Sequence, residues 1–268
     1  MKNKYFVLTL DLESEVSGVL DNKYEILKEK KSIELLLSLL KDNNIKLSVF
    51  VVGEIIDDFP DIISLFMKYE CEFHCHSHSH SSKNPDSEEE ILKSKNTYEK
   101  FFRKPPIGYR APQGKISPKG IKTLEKFGFK FDSSIFPSYY PNPFKYLLSK
   151  REIYKYKNST IIEIPFSSVT PFRLTLSISY IKLLGNKIYR TLLNIFGIPD
   201  ILIFGSHLHD FFIDEDTIKR LPFLWKIIYK RNKNKGTDFL REYILFFKEK
   251  GYKSVFISEI YNLYKNRT

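Results

Sequence analysis

Short apolar runs alternate with stretches of helical periodicity along nearly the whole chain, and no other feature restricts the fold as tightly. Residues 5–10, 46–52, 71–74, 107–109, 129–133, 160–165, 201–206 and 253–257 read as strands: they are short and mostly apolar. Residues 32–43, 60–69, 87–101, 117–127 and 237–250 read as helices. The first carries Leu35, Leu36, Leu39 and Leu40 at helical spacing, and the third opens on Glu88, Glu89 and Glu90, which suit a helix N-terminus. Strands separated by helices pair in parallel, so the expected fold class is α/β, with seven or eight strands in a closed or nearly closed barrel. A length of 268 residues is ordinary for one such barrel, and no repeat, low-complexity tract or linker breaks it. Residues 1–268 are therefore expected to form a single domain. In such barrels the chemistry sits on loops at the C-terminal ends of the strands.

Composition excludes several classes. Apolar residues make up 42% of the chain, with 23 Phe and 17 Tyr, which is enough for a substantial core and too much for a disordered protein. The net charge of +11 comes from lysines spread through every expected helix. Their densest cluster, residues 226–235, reads as a loop between helices and lacks a nucleic-acid-binding pattern, so nucleic acid is not an expected partner. The apolar run after the basic start stops at Asp11, too soon for a signal core. The most apolar region, residues 171–206, is interrupted by Arg173, Lys182, Lys187, Arg190 and Asp200, so no transmembrane helix is expected. Cys71 and Cys75 are the only cysteines and suggest no disulfide framework. The expectation is a reduced, cytoplasmic protein.

Histidine use is more pointed. Of 6 in the chain, four are His74, His76, His78 and His80, and the other two are His207 and His209. Both clusters fall at expected strand ends. Two imidazoles four residues apart can bind one metal, and two pairs fit: His76 with His80, or His74 with His78. Asp11-Leu12-Glu13 ends the first strand, and period-2 alternation puts both carboxylates on one side. One can ligate a metal while the other stays free to take a proton. Two histidines and one carboxylate leave open positions on a divalent ion, the layout of a catalytic site. Arg110, stiffened by Pro112 and Gly114, could hold a nearby carboxylate, and Asp132 ends another strand. Tyr139, Tyr140 and Trp225 could stack on sugar rings.

Taken in order, these elements resemble the polysaccharide deacetylase family, also called the NodB-homology domain or carbohydrate esterase family 4. The resemblance runs from Asp11-Leu12-Glu13 through the segment 72–80, Arg110-Ala111-Pro112, Asp132-Ser133-Ser134 and Leu208-His209-Asp210 to residues 251–255. It implies a distorted (β/α) barrel of about seven parallel strands. It also implies a divalent metal, zinc above all, held by Glu13, His76 and His80, with Glu72 setting the register of the histidine pair. The commonest first motif has two adjacent aspartates, whereas here Leu12 separates the carboxylates. In branches with that spacing Asp11 is the base and Glu13 the ligand.

The resemblance further implies removal of acetyl from the nitrogen of an amino sugar. Asp11 would take the proton of a water, Arg110 would orient Asp11, His209 would protonate the departing amine, and Asp132 would orient His209. The partner is then an N-acetylated glycan. The apolar, basic stretch 171–197 resembles a region of deacetylases tied to exopolysaccharide synthesis, which allows peripheral contact with a membrane or a lipid-linked glycan. The alternatives are a same-fold amidohydrolase acting on a lipid-linked formylated sugar or a small cyclic amide, and an inactive carbohydrate-binding relative.

Overall fold

The computed structural model describes residues 3–13, 16, 25–81, 83–138, 146–169, 171 and 173–266. Strand β1 (Lys4–Leu12) leads through helix α1 (Lys30–Asp42) into β2 (Leu47–Val51). Two short helices, α2 (Gly53–Asp58) and α3 (Pro60–Lys68), precede β3 (Glu72–Cys75). The alternation continues through α4 (Glu88–Phe102), β4 (Gly108–Tyr109), α5 (Pro118–Lys126) and β5 (Phe131–Asp132). It lapses at β6 (Tyr154–Lys155), β7 (Ile162–Glu163) and the antiparallel pair β8 (Ser168–Val169) and β9 (Leu174–Thr175). Helices α6 (Ile178–Leu184) and α7 (Asn186–Phe196) then lead to β10 (Ile201–His207). The described chain ends with α8 (Glu215–Arg220), α9 (Phe223–Lys230), α10 (Gly236–Glu249), β11 (Tyr252–Ser254) and α11 (Ile257–Lys265).

The main sheet runs β10-β1-β2-β3-β4-β5-β7-β6, with β11 pairing the start of β1. Every pairing in it is parallel except β6 on β7. The sheet curls until its ends meet: Ser167 N donates to Ile203 O at 3.2 Å, and Ile203 N to Ser167 Oγ at 2.9 Å. This is the expected α/β architecture, a distorted barrel with about seven parallel strands.

Alternation decides which side chains fill it. β1 and β10 pair Val7 with Ile203, Thr9 with Gly205 and Asp11 with His207. Val7, Phe50, Phe131, Ile162 and Ile203 pack inside the barrel with Ile257, Ile260 and Tyr261 of α11, which plugs its N-terminal end. The opposite face of β1, with Phe6, Leu8, Leu10 and Leu12, packs with the helical layer in the larger core. Glu72 and His74 face inward and are used there: Glu72 accepts from Ser48 Oγ at 2.7 Å and Ser258 Oγ at 2.5 Å, and lies 3.1 Å from His74 Nε2.

Three elements differ from the sequence expectation. Residues 53–58, between an expected strand and an expected helix, form the additional helix α2. The last strand is shorter than residues 253–257, because Ile257 begins α11, whose buried Ile257 and Ile260 stopper the barrel. Residues 226–230 are the last turns of α9 rather than loop, since Trp225 and Tyr229 at i, i+4 spacing turn inward and hold the helix down. Among the described residues no helix is long and apolar enough to cross a membrane.

Phe131→Ala should cost about 3–5 kcal/mol in denaturant unfolding, because it empties the barrel interior. Leu35→Ala, at a position 72% exposed, should stay within about 0.5 kcal/mol. Comparable losses at both positions would mean that the inner barrel is not a cooperative core.

Candidate metal centre

The inward face of the sheet turns polar toward the C-terminal mouth. After Val7, β1 presents Thr9 and Asp11, and Glu13 follows just past the strand; all three are buried. β3 sends His74 and then His76 to the same side. Beyond it Ser77 and His80 adopt left-handed φ values of +58° and +55°, so the chain turns sharply and brings His80 back over His76, with ring centroids 5.1 Å apart. Ser77 Oγ accepts from His80 N at 3.1 Å. Glu90 of α4 clamps the turn: its carboxylate accepts from His78 N at 3.0 Å, Ser79 N at 2.9 Å and Ser79 Oγ at 2.7 Å.

Glu13 Oε2 lies 2.7 Å from His80 Nε2 and 3.4 Å from His76 Nε2. Donor atoms of the three residues all fall within 4.8 Å of one another. His76 Nδ1 is 2.8 Å from Arg110 O, a contact that holds the ring with Nε2 toward Glu13. Burial works to raise the Glu13 carboxyl, but the His80 charge and hydrogen bonds from His76 and His80 outweigh it and hold it well below the usual range. The other pair is elsewhere. His74 sits between the Phe50 and Phe131 rings, and the His78 ring packs against Gly53, where a Cβ would lie 2.4 Å from His78 Nδ1. Of the two histidine pairs the sequence allows, His76 with His80 meets the carboxylate.

Asp11 has a separate partner. Arg110 Nη1 donates to Asp11 Oδ1 at 2.5 Å and to Thr9 Oγ1 at 3.1 Å, while Nε and Nη2 donate to Ser133 O and Oγ, each at 3.0 Å. The guanidinium is fully buried between the rings of Phe50 and Phe166, at 3.8 and 4.1 Å from their centroids. Gly205 leaves room for Phe166, since a Cβ there would come within 2.6 Å of that ring. Asp11, Glu13, His76 and His80 open onto a cavity of about 300 Å³, walled by Phe166, Tyr180 and Trp225 among others. Tyr139 and Tyr140 lie outside the described residues.

The geometry sets two of the sequence-assigned residues apart from the cavity. The histidine on the cavity is His207, not His209. As the last residue of β10 and the register partner of Asp11, His207 inherits the inward face, and its Nε2 lies 3.8 Å from Asp11 Oδ2 and 3.9 Å from Glu13 Oε1. Its Nδ1 is 3.4 Å from Asp210 Oδ2. Asp210 is in turn held by Ser179 Oγ at 2.6 Å, and its backbone carbonyl by Lys182 Nζ at 2.9 Å. Burial alone would lower His207, but its bond to Asp210 and the charges of Glu13 and Asp11 push it up to about 9. His209 lies on the following 3-10 turn, stacked on His207 at 4.6 Å and edge-on to Tyr229. Burial and the neighbouring His207 charge push it down to about 4. One of its nitrogens still comes within 4.8 Å of donor atoms of Glu13 and His207.

The second is Asp132, whose hydrogen-bond partners are Ser134 and Tyr156 and not His209. On β5 it is Phe131 and Ser133 that face inward, so Asp132 points to the other side of the sheet. There Asp132 accepts from Ser134 Oγ at 2.6 Å and Tyr156 OH at 3.2 Å, beside Glu163, which accepts from Tyr156 OH at 2.9 Å and Ile135 N at 3.0 Å. Burial first, and then the Asp132 charge, raise the Glu163 carboxyl well above its ordinary value, as expected of a pair that shares a proton.

Glu90, Asp210 and Ser179 were missed. The signal for Asp210 was its spacing of three from His207; Glu90 carried only the look of a helix-start acid, and Ser179 carried none.

Two measurements follow. The folded state holds the Glu163 proton more tightly than the unfolded chain, so this stabilisation is complete below the ordinary carboxylate range and is lost as pH rises through the elevated folded value. Unfolding midpoints should therefore fall less with rising pH in Glu163→Gln than in the native protein; parallel pH curves would refute the shared proton. Glu90→Ala should leave circular dichroism unchanged and weaken zinc affinity, read by calorimetry, by about 10- to 100-fold. Unaltered affinity would show that the clamp does not position His80.

Residues 2–131 match the polysaccharide deacetylase family model, a span holding Asp11, Glu13, His76, His80 and Arg110 and ending before His207. No curated protein matches the chain by sequence. Among solved structures, an allantoinase is similar at 15% identity and a TM-score of 0.61, covering 96% of this chain and 89% of its own. A peptidoglycan N-acetylglucosamine deacetylase is similar at 17% identity and a TM-score of 0.55, covering 97% and 89%. A carbohydrate esterase family 4 pseudoenzyme from Bacillus anthracis gives 15%, 0.55, 97% and 66%. At such identities these likenesses establish the fold. Residues 2–131 thus resemble the polysaccharide deacetylase family, and the chain as a whole has the fold of carbohydrate esterase family 4 structures.

Proposed function

We propose that this chain is a metal-dependent hydrolase that removes N-acetyl groups from the amino sugars of a glycan. The observation that supports this most is the division of labour between two adjacent carboxylates. Glu13 faces two histidines, while Asp11, two residues away, is held by a buried arginine. The peptidoglycan deacetylase with the same fold makes an N-acetylated glycan the natural substrate class.

The donor set fits a divalent cation. Glu13, His76 and His80 supply one carboxylate oxygen and two imidazole nitrogens, all buried, with His76 fixed from behind by the Arg110 carbonyl. Zinc is the expected ion for such ligands. A cation held there would supply Lewis acidity, polarising an amide carbonyl and making water acidic near neutral pH.

The chain's own groups then divide the proton transfers. Asp11 Oδ1 is fixed by Arg110, which leaves Oδ2 toward the cavity to take the proton of the attacking water. His207 faces Asp11 across the cavity and donates a proton to the departing amine. Asp210 holds His207 through Nδ1 and aims Nε2 at the reacting amide. His209 stands behind His207 and serves as its stacking support.

Asp11→Asn should keep zinc and lower turnover of N-acetyl chito-oligomers by about 10²- to 10⁴-fold. His207→Ala should lower it by a similar factor, and His209→Ala by much less. His76→Ala should lose zinc and turnover together. A His209→Ala variant as impaired as His207→Ala would reverse the assignment of the acid, and full turnover in Asp11→Asn would remove the base.

A further inference from the structure

Helix α9 forms one wall of the cavity, and its outward side is apolar where solvation calls for polar residues. Trp225 and Tyr229 line the cavity. At 100° per residue, Phe223, Ile227 and Lys230 fall on the opposite face. Phe223 is 75% exposed and Ile227 46%. Helix α7 repeats the pattern: Ile188, Ile195 and Phe196 are all exposed, and Lys187 and Arg190 lie on the same helix. Both helices pack against α6, which itself lines the cavity with Tyr180 and Leu183. The apolar outward face of α9 thus belongs to a helix that walls the site.

The charge on this surface has one sign. Between Asp216 and Asp238 the chain carries Lys219, Arg220, Lys226, Lys230, Arg231, Lys233 and Lys235 and no acidic residue, and α7 has none either. Lys219 and Lys233 are matched by Asp216 and Glu215 of α8. Among the described residues no ion pair is made by Lys226 or Arg231, and Lys230 has only a Coulombic interaction with Glu215, which already pairs with Lys233. Exposed aromatic and aliphatic side chains, interleaved with unneutralised cations on a short helix, match the boundary between lipid headgroups and acyl chains.

We propose that α9 docks the protein on an anionic lipid bilayer. The apolar side chains enter the headgroup boundary and the lysines meet lipid phosphates. The cavity, on the other side of the same helix, is thereby held next to the membrane surface. Docking does not depend on the hydrolase reading, and its test reads binding alone.

The test is co-sedimentation with vesicles of phosphatidylglycerol and phosphatidylcholine, against vesicles of phosphatidylcholine alone. The native protein should bind the anionic vesicles at least about tenfold more tightly, and the difference should shrink with added salt. Phe223→Asp with Ile227→Asp should lose about tenfold or more of that affinity while circular dichroism and the unfolding midpoint stay unchanged. Lys226→Glu with Lys230→Glu should remove the preference for anionic vesicles. Failure of the native protein to bind, or equal binding by the apolar double variant, would overturn the proposal. So would a dimer, seen by sedimentation, that the same double variant dissociates, since a second copy would then be what covers this face.

Discussion

Two carboxylates buried at one strand end repel each other and lose their hydration, and the mouth of this barrel is arranged around that cost. Asp11 and Glu13 face the same way because a strand alternates. Neither position is tolerable without its own compensation. Arg110 reaches Asp11 from the far side of the barrel interior, and His76 and His80 meet Glu13 from β3 and the turn after it. Because the two sets of partners differ in kind, the carboxylates differ in chemistry. One faces two imidazoles, and the other keeps an oxygen free beside a fixed positive charge.

The surrounding architecture serves that separation. Phe50 and Phe166 clamp the guanidinium and exclude water from it, so its charge acts at short range in an apolar setting. The Arg110 carbonyl meanwhile fixes His76, which makes one residue the support for both halves of the site. The left-handed turn at Ser77 and His80 carries local strain, and Glu90 holds it in place with three hydrogen bonds. On the opposite rim, Ser179, Lys182 and Asp210 join α6 to the end of β10 and set the direction of His207.

Much of this was legible in the sequence. Alternating apolar runs gave away the parallel barrel, and the clustering of histidines, with a carboxylate pair at the first strand end, marked the mouth. Finer placement was harder to read. His207 and His209 are indistinguishable as residue types, and motif likeness favoured His209. Strand parity, carried one residue further along β10, would have chosen His207, since it shares a face with Ile203. The same parity argument on β5 would have turned Asp132 away from the site, because Phe131 and Ser133 occupy the inward positions. Ser179 and Glu90 act through contacts made across the chain, and no local pattern carries such contacts. Helix α9 was read as loop because its lysines mask the i, i+4 pairing of Trp225 and Tyr229.

The most direct measurement is an anomalous difference map from a zinc-soaked crystal. The account places a single strong peak about 2.0–2.2 Å from Glu13 Oε2 and the Nε2 atoms of His76 and His80. A peak held instead by Glu13, His207 and His209, or no peak near Glu13 at all, would contradict it.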